Sequence, residues 1–387
     1  MTRFAVTDVR LVQEDGVQSG WLLVEDGRIA AIATEGAPPD GVRTVEGGGR
    51  YLAPGLIDIH VHGGGGHSLM TDDPDEVRAY ARWVVRHGVT TFLVSTSGPD
   101  HASIVRRLRA VAPAVGEVER GARVLGFHLE GPYINPVRKG AFPPRWLRPP
   151  DAHEYAELFE ASGGAVRQVT LAPELPGADA LIDAVERSGA TASIGHSDAT
   201  YEEAMRAFER GVTHATHCFN AMRPFGHRDP GLLGAIMTSH NVTAELIGDG
   251  AHVDDAAARV LVRAKGASRV VLVTDGMPLA GTPDGEAEWE GTHIRVEGGK
   301  AVREDGTIVG GVMTLDAMVR RAVDALGVPL STAIAMASTN PARALRLAGV
   351  YGALAAGRAA DFILLDESLE VAETWVAGER VYSATEA

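Results

Sequence analysis

The chain has 387 residues and a formal net charge of -15, with 36 Lys and Arg against 51 Asp and Glu, which argues against nucleic acid or an anionic membrane as its partner. Its length allows a large core and more than one domain, and its 45% hydrophobic and 22% charged residues are ordinary for a globular protein. The single cysteine, Cys218, excludes a disulfide within the chain; with an N-terminus that has no apolar signal core, it leads us to expect a cytoplasmic protein.

Both ends of the chain predict short β-strands. Near the N-terminus, alternating apolar residues punctuated by turn residues occupy 3–12, 20–33 and 43–55, and near the C-terminus they occupy 349–366 and 371–383. We expect the two ends to pair into a small β-sandwich domain formed by residues 1–53 and 347–387.

The middle of the chain, residues 54–346, predicts apolar strands that alternate with amphipathic helices. The expected strands are 55–62, 89–96, 123–131, 166–174, 190–197, 212–218, 242–250 and 269–276. The expected helices include 73–88, 180–189, 201–211 and 254–266, which end at glycine as helices often do. Eight strands in this order predict an α/β fold, a parallel (β/α)₈ TIM-like barrel.

The first barrel strand ends in a pair of histidines, His60 and His62, followed by four glycines. Residues two apart on a strand point to the same face, so both imidazoles are expected to project together. A single histidine there would be read as a core or loop hydrogen-bonding group. A same-face pair can place two nitrogens near one cation, and neutral imidazole is a common metal ligand.

Four further polar residues stand at the ends of other predicted strands: Glu130, His196, His217 and Asp275. Taken singly, each has a structural explanation, such as capping a helix or bonding a loop. In a (β/α)₈ barrel, however, the carboxyl ends of the strands converge on one rim. Together with His60 and His62 they form a nitrogen and oxygen set suited to Zn²⁺ or another first-row divalent ion.

Seven segments stand in a characteristic order along the chain: PGLIDIHVHG, HLEGPYINPVRKGAF, IGHSDAT, THCFNAMRPF, DPGLLGAI, DGAHV and VTDGM. With the closing GALAAGRAADFILLD, they resemble the motifs of the N-acetylglucosamine-6-phosphate deacetylase family, in the amidohydrolase superfamily. A lone H-x-H pair is weakly specific, but HLEGP, GHSDA and TH-x-FNAM together are specific for this branch. The resemblance implies metal-dependent removal of the acetyl group of N-acetylglucosamine 6-phosphate, which yields glucosamine 6-phosphate and acetate in amino-sugar catabolism and recycling.

The resemblance also implies a metal site. Glu130, His196 and His217 match the ligands of the ion that the family shares. His60 and His62, with Glu130 as a bridge and Asp275, match the ligands of a second ion that some members hold. The implied cofactor is therefore one or two divalent ions per subunit, zinc first, with iron or manganese as alternatives. Asp275 matches the catalytic acid and base.

Substrate-binding roles follow from the same resemblance. Asn220, Ala221 and His252 resemble residues that bind the sugar phosphate. Arg228 resembles an arginine that reaches the phosphate in the neighbouring active site, which implies a homodimer. Phe142 departs from the pattern, because many members have His there and some Gln. Phenylalanine cannot donate a hydrogen bond to the substrate carbonyl, so that role is vacant or has moved.

Three alternatives remain open from the sequence. N-acetylgalactosamine 6-phosphate differs from the first substrate only at C4, which no motif resolves. A cyclic-amide hydrolase would keep the chemistry, but it fits FNAM and DGAHV poorly and the fourth strand does not end in a lysine that could carry a bridging carbamate. A catalytically inactive scaffold would have lost metal ligands, and none is missing.

Overall fold

The computed structural model describes residues 3–386, and its secondary structure runs through the chain as follows. The strands are β1 (Arg3–Gln13), β2 (Gly16–Glu25), β3 (Arg28–Ala33), β4 (Arg43–Pro54), β5 (Leu56–Asp58), β6 (Gly63–Gly64), β7 (His67–Ser68), β8 (Val89–Thr96), β9 (Arg123–Glu130), β10 (Val166–Leu171), β11 (Thr191–Ile194), β12 (His214–Ala215), β13 (Thr243–Leu246), β14 (Val270–Leu272), β15 (Glu286–Trp289), β16 (Thr292–Glu297), β17 (Lys300–Val302), β18 (Phe362–Leu365), β19 (Val371–Val376) and β20 (Glu379–Ser383). The α-helices are α1 (Pro74–Val84), α2 (His101–Val111), α3 (Ala152–Ala161), α4 (Ala178–Ser188), α5 (Tyr201–Arg210), α6 (Gly231–Thr238), α7 (Asp255–Lys265), α8 (Leu315–Asp324), α9 (Leu330–Met336) and α10 (Thr339–Ala344).

The predicted barrel is present as an eight-stranded parallel sheet in the order β14-β13-β12-β11-β10-β9-β8-β5. Every residue of β8 and β9 is buried, because helices cover the outer face and side chains fill the inner one. Backbone bonds just beyond β5 and β14 join the two edges: Asp275 donates to the His60 carbonyl at 2.8 Å, and His62 donates to the Gly276 carbonyl at 2.8 Å. The barrel therefore closes through residues of the predicted metal site.

The eight predicted strands all occur, but most are shorter than the sequence indicated. The first strand ends at Asp58, before both histidines of the pair, and the strand predicted at 212–218 has only two residues. The four predicted helices are confirmed, and α4 ends at Gly189 in the left-handed conformation. No described helix is long and apolar enough to cross a membrane.

The chain ends form one seven-stranded sheet in the order β20-β19-β18-β4-β1-β2-β3. This sheet curls, so Phe4 of β1 packs on Trp375 of β19 with ring centroids 5.2 Å apart, although three strand positions separate them. Phe362 stacks on the same tryptophan at 5.3 Å. The predicted small β domain is therefore present; residues 1, 2 and 387 of its predicted range lie outside the described chain.

A three-stranded antiparallel sheet, β15-β16-β17, follows the last barrel strand and was not predicted. We call residues 286–303 the insert. Ile294, Val296 and Ala301 of the insert are buried against Met277 and Val309. Because the insert follows β14, it lies at the carboxyl end of the barrel, where the strands deliver their polar residues.

A buried ion pair links the barrel to the small domain. Arg123 Nη1 at the start of β9 lies 2.7 Å from Asp361 Oδ2, and these side chains are only 9% and 5% exposed. The other oxygen of Asp361 accepts a hydrogen bond from the Ala377 amide at 2.7 Å.

We expect Arg123→Met to lower the free energy of unfolding by about 3–5 kcal/mol, because it leaves the buried Asp361 carboxylate without its cation. Arg3→Ala is the matched control: it breaks the exposed Arg3–Glu25 pair of 2.7 Å and should cost less than about 1 kcal/mol. Thermal and urea unfolding followed by circular dichroism measure both. Equal losses in the two variants would contradict the idea that Arg123 joins the domains.

Candidate functional site

A cavity of about 230 Å³ opens at the carboxyl ends of the barrel strands. It contains most of the residues that the sequence singled out. Those that line it are His62, Glu130, Phe142, His196, His217, Asn220, Ala221, His252 and Asp275. His60 lies directly beneath them and is fully buried.

Glu130, His196 and His217 form the first ligand group. They come from the ends of β9, β11 and β12; β11 and β12 are adjacent in the barrel, and β10 separates them from β9. Glu130 Oε1 lies 3.2 Å from His196 Nε2 and 3.0 Å from His217 Nε2. The two Nε2 atoms are 3.0 Å apart. Three potential metal-ligand atoms thus face one point.

His60, His62 and Asp275 form the second ligand group. Asp275 Oδ1 lies 3.4 Å from His60 Nε2 and 3.5 Å from His62 Nε2. Glu130 connects the two groups, since its Oε2 lies 3.0 Å from His62 Nε2 and its Oε1 lies 3.4 Å from His60 Nε2. The histidine pair therefore converges on one point even though it lies beyond the end of its strand.

Backbone strain is concentrated at this rim. His196, His217, Ala221 and Asp275 all have positive φ values of 47°, 29°, 50° and 46°. Residues other than glycine adopt this conformation at a cost of roughly 1–3 kcal/mol each, and such residues cluster at functional sites. The sharp turns after β11, β12 and β14 aim these side chains into the cavity instead of along the strand.

A second buried carboxylate, Glu245 of β13, orients the site from below. Its oxygens lie 2.9 Å from His60 Nδ1 and 3.0 Å from His214 Nε2, and they accept from the Gln168 amide at 2.8 Å and the His217 backbone amide at 2.9 Å. A carboxylate on the far nitrogen of a ligating histidine fixes its tautomer and raises its basicity. Sequence reasoning missed Glu245; its signal was a lone charge within an otherwise apolar strand.

The nitrogen and oxygen atoms of the two ligand groups fit a divalent metal ion. His196 Nδ1 lies 2.9 Å from the Arg138 carbonyl oxygen, which can only accept, so Nδ1 carries the hydrogen and the Nε2 lone pair faces Glu130. His60 is arranged alike: its Nδ1 faces Glu245, and its Nε2 is buried without a hydrogen-bond partner. Lone pairs directed at carboxylate oxygens need a cation between them, either a proton or a metal ion.

The pKa shifts of Glu130 and His60 also indicate a cation between the carboxylates. Burial, the largest effect, raises the pKa of Glu130, but the charge of His60 and the close contacts with His196 and His217 hold it well below its ordinary value. Burial lowers the pKa of His60, but the charges of Glu130, Asp275 and Glu245 raise it well above its ordinary value. The cluster therefore holds a positive charge among its carboxylates.

The cavity wall beside the ligand groups supplies contacts for a substrate. His252 Nδ1 lies 2.7 Å from Asp249 Oδ2. Burial, the largest effect, lowers the pKa of His252, but the hydrogen bond and charge of Asp249 raise it above its ordinary value. His252 is therefore more strongly disposed to carry a positive charge than a free histidine. Asp249 was also missed from the sequence.

Phe142 lies against the first ligand group and donates nothing to the cavity. Its ring meets the His196 ring edge-on, with centroids 5.2 Å apart. Two indole groups, Trp146 and Trp289, line the same cavity, and their Nε1 atoms are buried without hydrogen-bond partners. The cavity wall thus includes two indole groups that no sequence motif indicated, one of them from the insert.

Arg228 is the one predicted site residue that the structure does not bring to the cavity. It is exposed on the loop between β12 and α6. Two charged residues of the insert line the cavity instead, Glu290 and Arg303. Neither belongs to a recognised motif, and the packing of the insert against Met277 and Val309, which brings it to the barrel, is tertiary.

Comparison with known proteins agrees with the fold. The sequence profile of the amidohydrolase family matches residues 51–381. The chain is 38% identical over 371 residues to an N-acetylgalactosamine-6-phosphate deacetylase of Escherichia coli O157:H7, covering 96% of this chain and 97% of that protein. It is 34% identical over 373 residues to an N-acetylglucosamine-6-phosphate deacetylase of Lysinibacillus sphaericus, covering 96% and 95%.

Among solved structures, a mutant N-acetyl-D-glucosamine-6-phosphate deacetylase of Mycobacterium smegmatis, in complex with N-acetyl-D-glucosamine-6-phosphate, superimposes with a TM-score of 0.91 at 34% identity. The match covers 99% of this chain and all of the other. The barrel, the two joined ligand groups and these full-length matches establish that this chain belongs to the amidohydrolase family.

Proposed function

We propose that the protein is a hydrolase of linear amide bonds that converts N-acetyl-D-glucosamine 6-phosphate and water into D-glucosamine 6-phosphate and acetate. The observation that carries this proposal is the pair of ligand groups joined by Glu130 at the base of the cavity. Relatives matched over nearly their whole length bear the names of deacetylases of this type.

Glu130, His196 and His217 would hold the essential ion, and His60, His62 and Asp275 would hold a second one. Zinc suits the nitrogen-rich first group, with iron or manganese as alternatives. A divalent ion held there would supply Lewis-acid chemistry, lowering the pKa of a bound water to about 7 and polarising a carbonyl. The side chains that line the cavity would orient water and substrate around this ion.

Asp275 is placed to move the proton. Its carboxylate lines the cavity and its Oδ1 faces His60 and His62. As a base it takes a proton from the attacking water, and as an acid it gives that proton to the sugar nitrogen. Protonation of the nitrogen is needed because an amide anion is too poor a leaving group. The hydrogen bond from the Asp275 backbone amide to the His60 carbonyl fixes this residue where the first and last barrel strands meet.

The sugar phosphate needs positive groups on a chain whose net charge is -15. His252 supplies one from within the cavity, and Asn220 and Ala221 form the adjoining wall. Arg228 is exposed in its own subunit, which suits a role in the neighbouring active site of a homodimer. We place this enzyme in the cytoplasm, where phosphosugars are metabolised.

N-acetylgalactosamine 6-phosphate is the second candidate substrate. The 38% identity to the Escherichia coli deacetylase named for that sugar favours it. The two substrates differ in the configuration of one hydroxyl, and nothing in the ligand groups distinguishes them. The choice depends on the cavity wall.

We expect acetate release from N-acetylglucosamine 6-phosphate to exceed that from the galacto epimer in kcat/KM. The assay uses protein whose metal content has been measured by mass spectrometry, and it includes both unphosphorylated sugars. A higher kcat/KM for the galacto epimer would support the second candidate. No acetate from either phosphosugar with metal-loaded protein would refute the proposed function.

We expect His196→Ala to lose metal from the first group and to lose activity, because three ligands and one open position are the minimum for a catalytic site. His62→Ala should lose at most the second ion and retain part of the activity. His67→Ala is the matched control, since His67 is half-buried beside Glu76, at 3.3 Å, outside both groups. Metal content per subunit and acetate release are both measured. A metal-free His196→Ala protein with full activity would exclude the first group as the catalytic site.

Asp275→Asn keeps the size and polarity of the side chain but cannot accept and return a proton. We expect kcat to fall roughly 10²- to 10⁴-fold, with much less change in KM. Asp284→Asn, an exposed position that precedes the insert, is the control and should behave as wild type. If Asp275→Asn retained near wild-type kcat, another group would have to move the proton.

A further inference from the structure

Arg303 is a cationic residue of the insert that no motif or matched position assigns. It follows β17 directly and begins a tight turn, in which its backbone amide donates to the Thr307 carbonyl at 3.0 Å and its carbonyl accepts from the Gly306 amide at 2.9 Å. Its side chain lines the same cavity as the ligand groups. The insert thus holds a guanidinium at the wall of the site.

One nitrogen of the guanidinium is not satisfied by the described part of the chain. Arg303 Nε is buried and has no hydrogen-bond partner among residues 3–386. A buried donor without an acceptor costs free energy, and one on a charged group costs more. The nearby carboxylate of Asp305 is exposed and accepts a hydrogen bond from the Thr307 amide at 2.9 Å. Arg303 therefore lines the cavity while one nitrogen of its guanidinium is left unpaired by the described residues.

Other positive groups lie at or near the cavity. Lys300, at the start of β17, is close enough to His252 for its charge to lower the pKa of that imidazole. His252 and Arg303 both line the cavity. On a chain of net charge -15, this concentration of cationic groups where the insert meets the loop after β13 suits an anion. A guanidinium is the side chain that best matches the oxygens of a phosphate, because its N–H groups form a planar fork.

We propose that Arg303 binds the phosphate group of the substrate from within the same subunit, next to His252 and in addition to Arg228 of the neighbouring subunit. The proposal rests on the proposed function, since that function supplies the phosphosugar. It assigns to the insert a role in selecting phosphorylated over unphosphorylated sugars. Arg303 would also position the sugar so that its acetamide faces the ligand groups.

The test compares metal-loaded wild-type protein with Arg303→Ala, Arg303→Lys and Arg295→Ala. Arg295 is the matched control, because it lies on β16 of the same insert, exposed and paired with Glu297 at 3.2 Å. Calorimetry measures the Kd of glucosamine 6-phosphate, and acetate release measures kcat/KM for N-acetylglucosamine with and without the phosphate.

We expect Arg303→Ala to weaken binding of glucosamine 6-phosphate roughly 10- to 100-fold, the effect of one charge-assisted hydrogen-bond set. Arg303→Lys should fall between this variant and wild type, because it keeps the charge but not the fork. Arg295→Ala should stay within about twofold of wild type. The kcat/KM for unphosphorylated N-acetylglucosamine should be unchanged in Arg303→Ala.

An unchanged Kd in Arg303→Ala, or an equal proportional loss for both sugars, would overturn the proposal. A wild-type protein that does not bind glucosamine 6-phosphate would overturn it as well. Failure of the proposed function has a different signature: wild-type protein would release no acetate, whereas the binding comparison would still decide the role of Arg303.

Discussion

The site depends on an imidazole held between carboxylates on both sides of its ring. His60 directs Nδ1 to Glu245 at 2.9 Å, and its Nε2 faces Glu130 and Asp275, each at 3.4 Å. Burying charged carboxylates costs several kcal/mol each unless they are fully bonded. Glu245 meets this requirement with four partners that come from different barrel strands and loops. The same bonds that stabilise the buried charge therefore hold the ligands in place.

Barrel closure and site assembly are one structural event. The backbone bonds that join the first and last strands involve His60, His62 and Asp275, so the second ligand group forms only when the sheet is closed. The first group likewise forms across separate strands, β9, β11 and β12, which only the folded sheet brings together. Residues with a left-handed backbone conformation at the rim then direct their side chains into the cavity. The closed barrel around them offsets the cost of this strained conformation.

Around the two ligand groups, the cavity wall is built from loops and the insert, which have weaker local constraints than the barrel strands. The insert packs on the barrel through a small apolar cluster and contributes Trp289, Glu290 and Arg303 to the cavity. Phe142 lies on the opposite wall against His196. The candidate metal ligands thus lie at the ends of strands, and the other residues that line the cavity lie on loops and the insert. A (β/α)₈ barrel favours this division.

The sequence by itself determined the strand and helix alternation, the pairing of the two chain ends and the identity of the residues at the barrel rim. It could do so because the spacing of apolar residues shows which face of a strand or helix is buried. In addition, the carboxyl ends of parallel strands all lie at the same rim of a barrel. Only the tertiary structure decided what each polar group contacts. His214 and His217 lie three residues apart in one segment, yet the first binds Glu245 beneath the cavity and the second faces Glu130 within it. Glu245, Asp249, Trp289 and Arg303 were not singled out from the sequence. Their roles depend on partners brought near by the closed barrel and by packing of the insert, which local patterns do not encode.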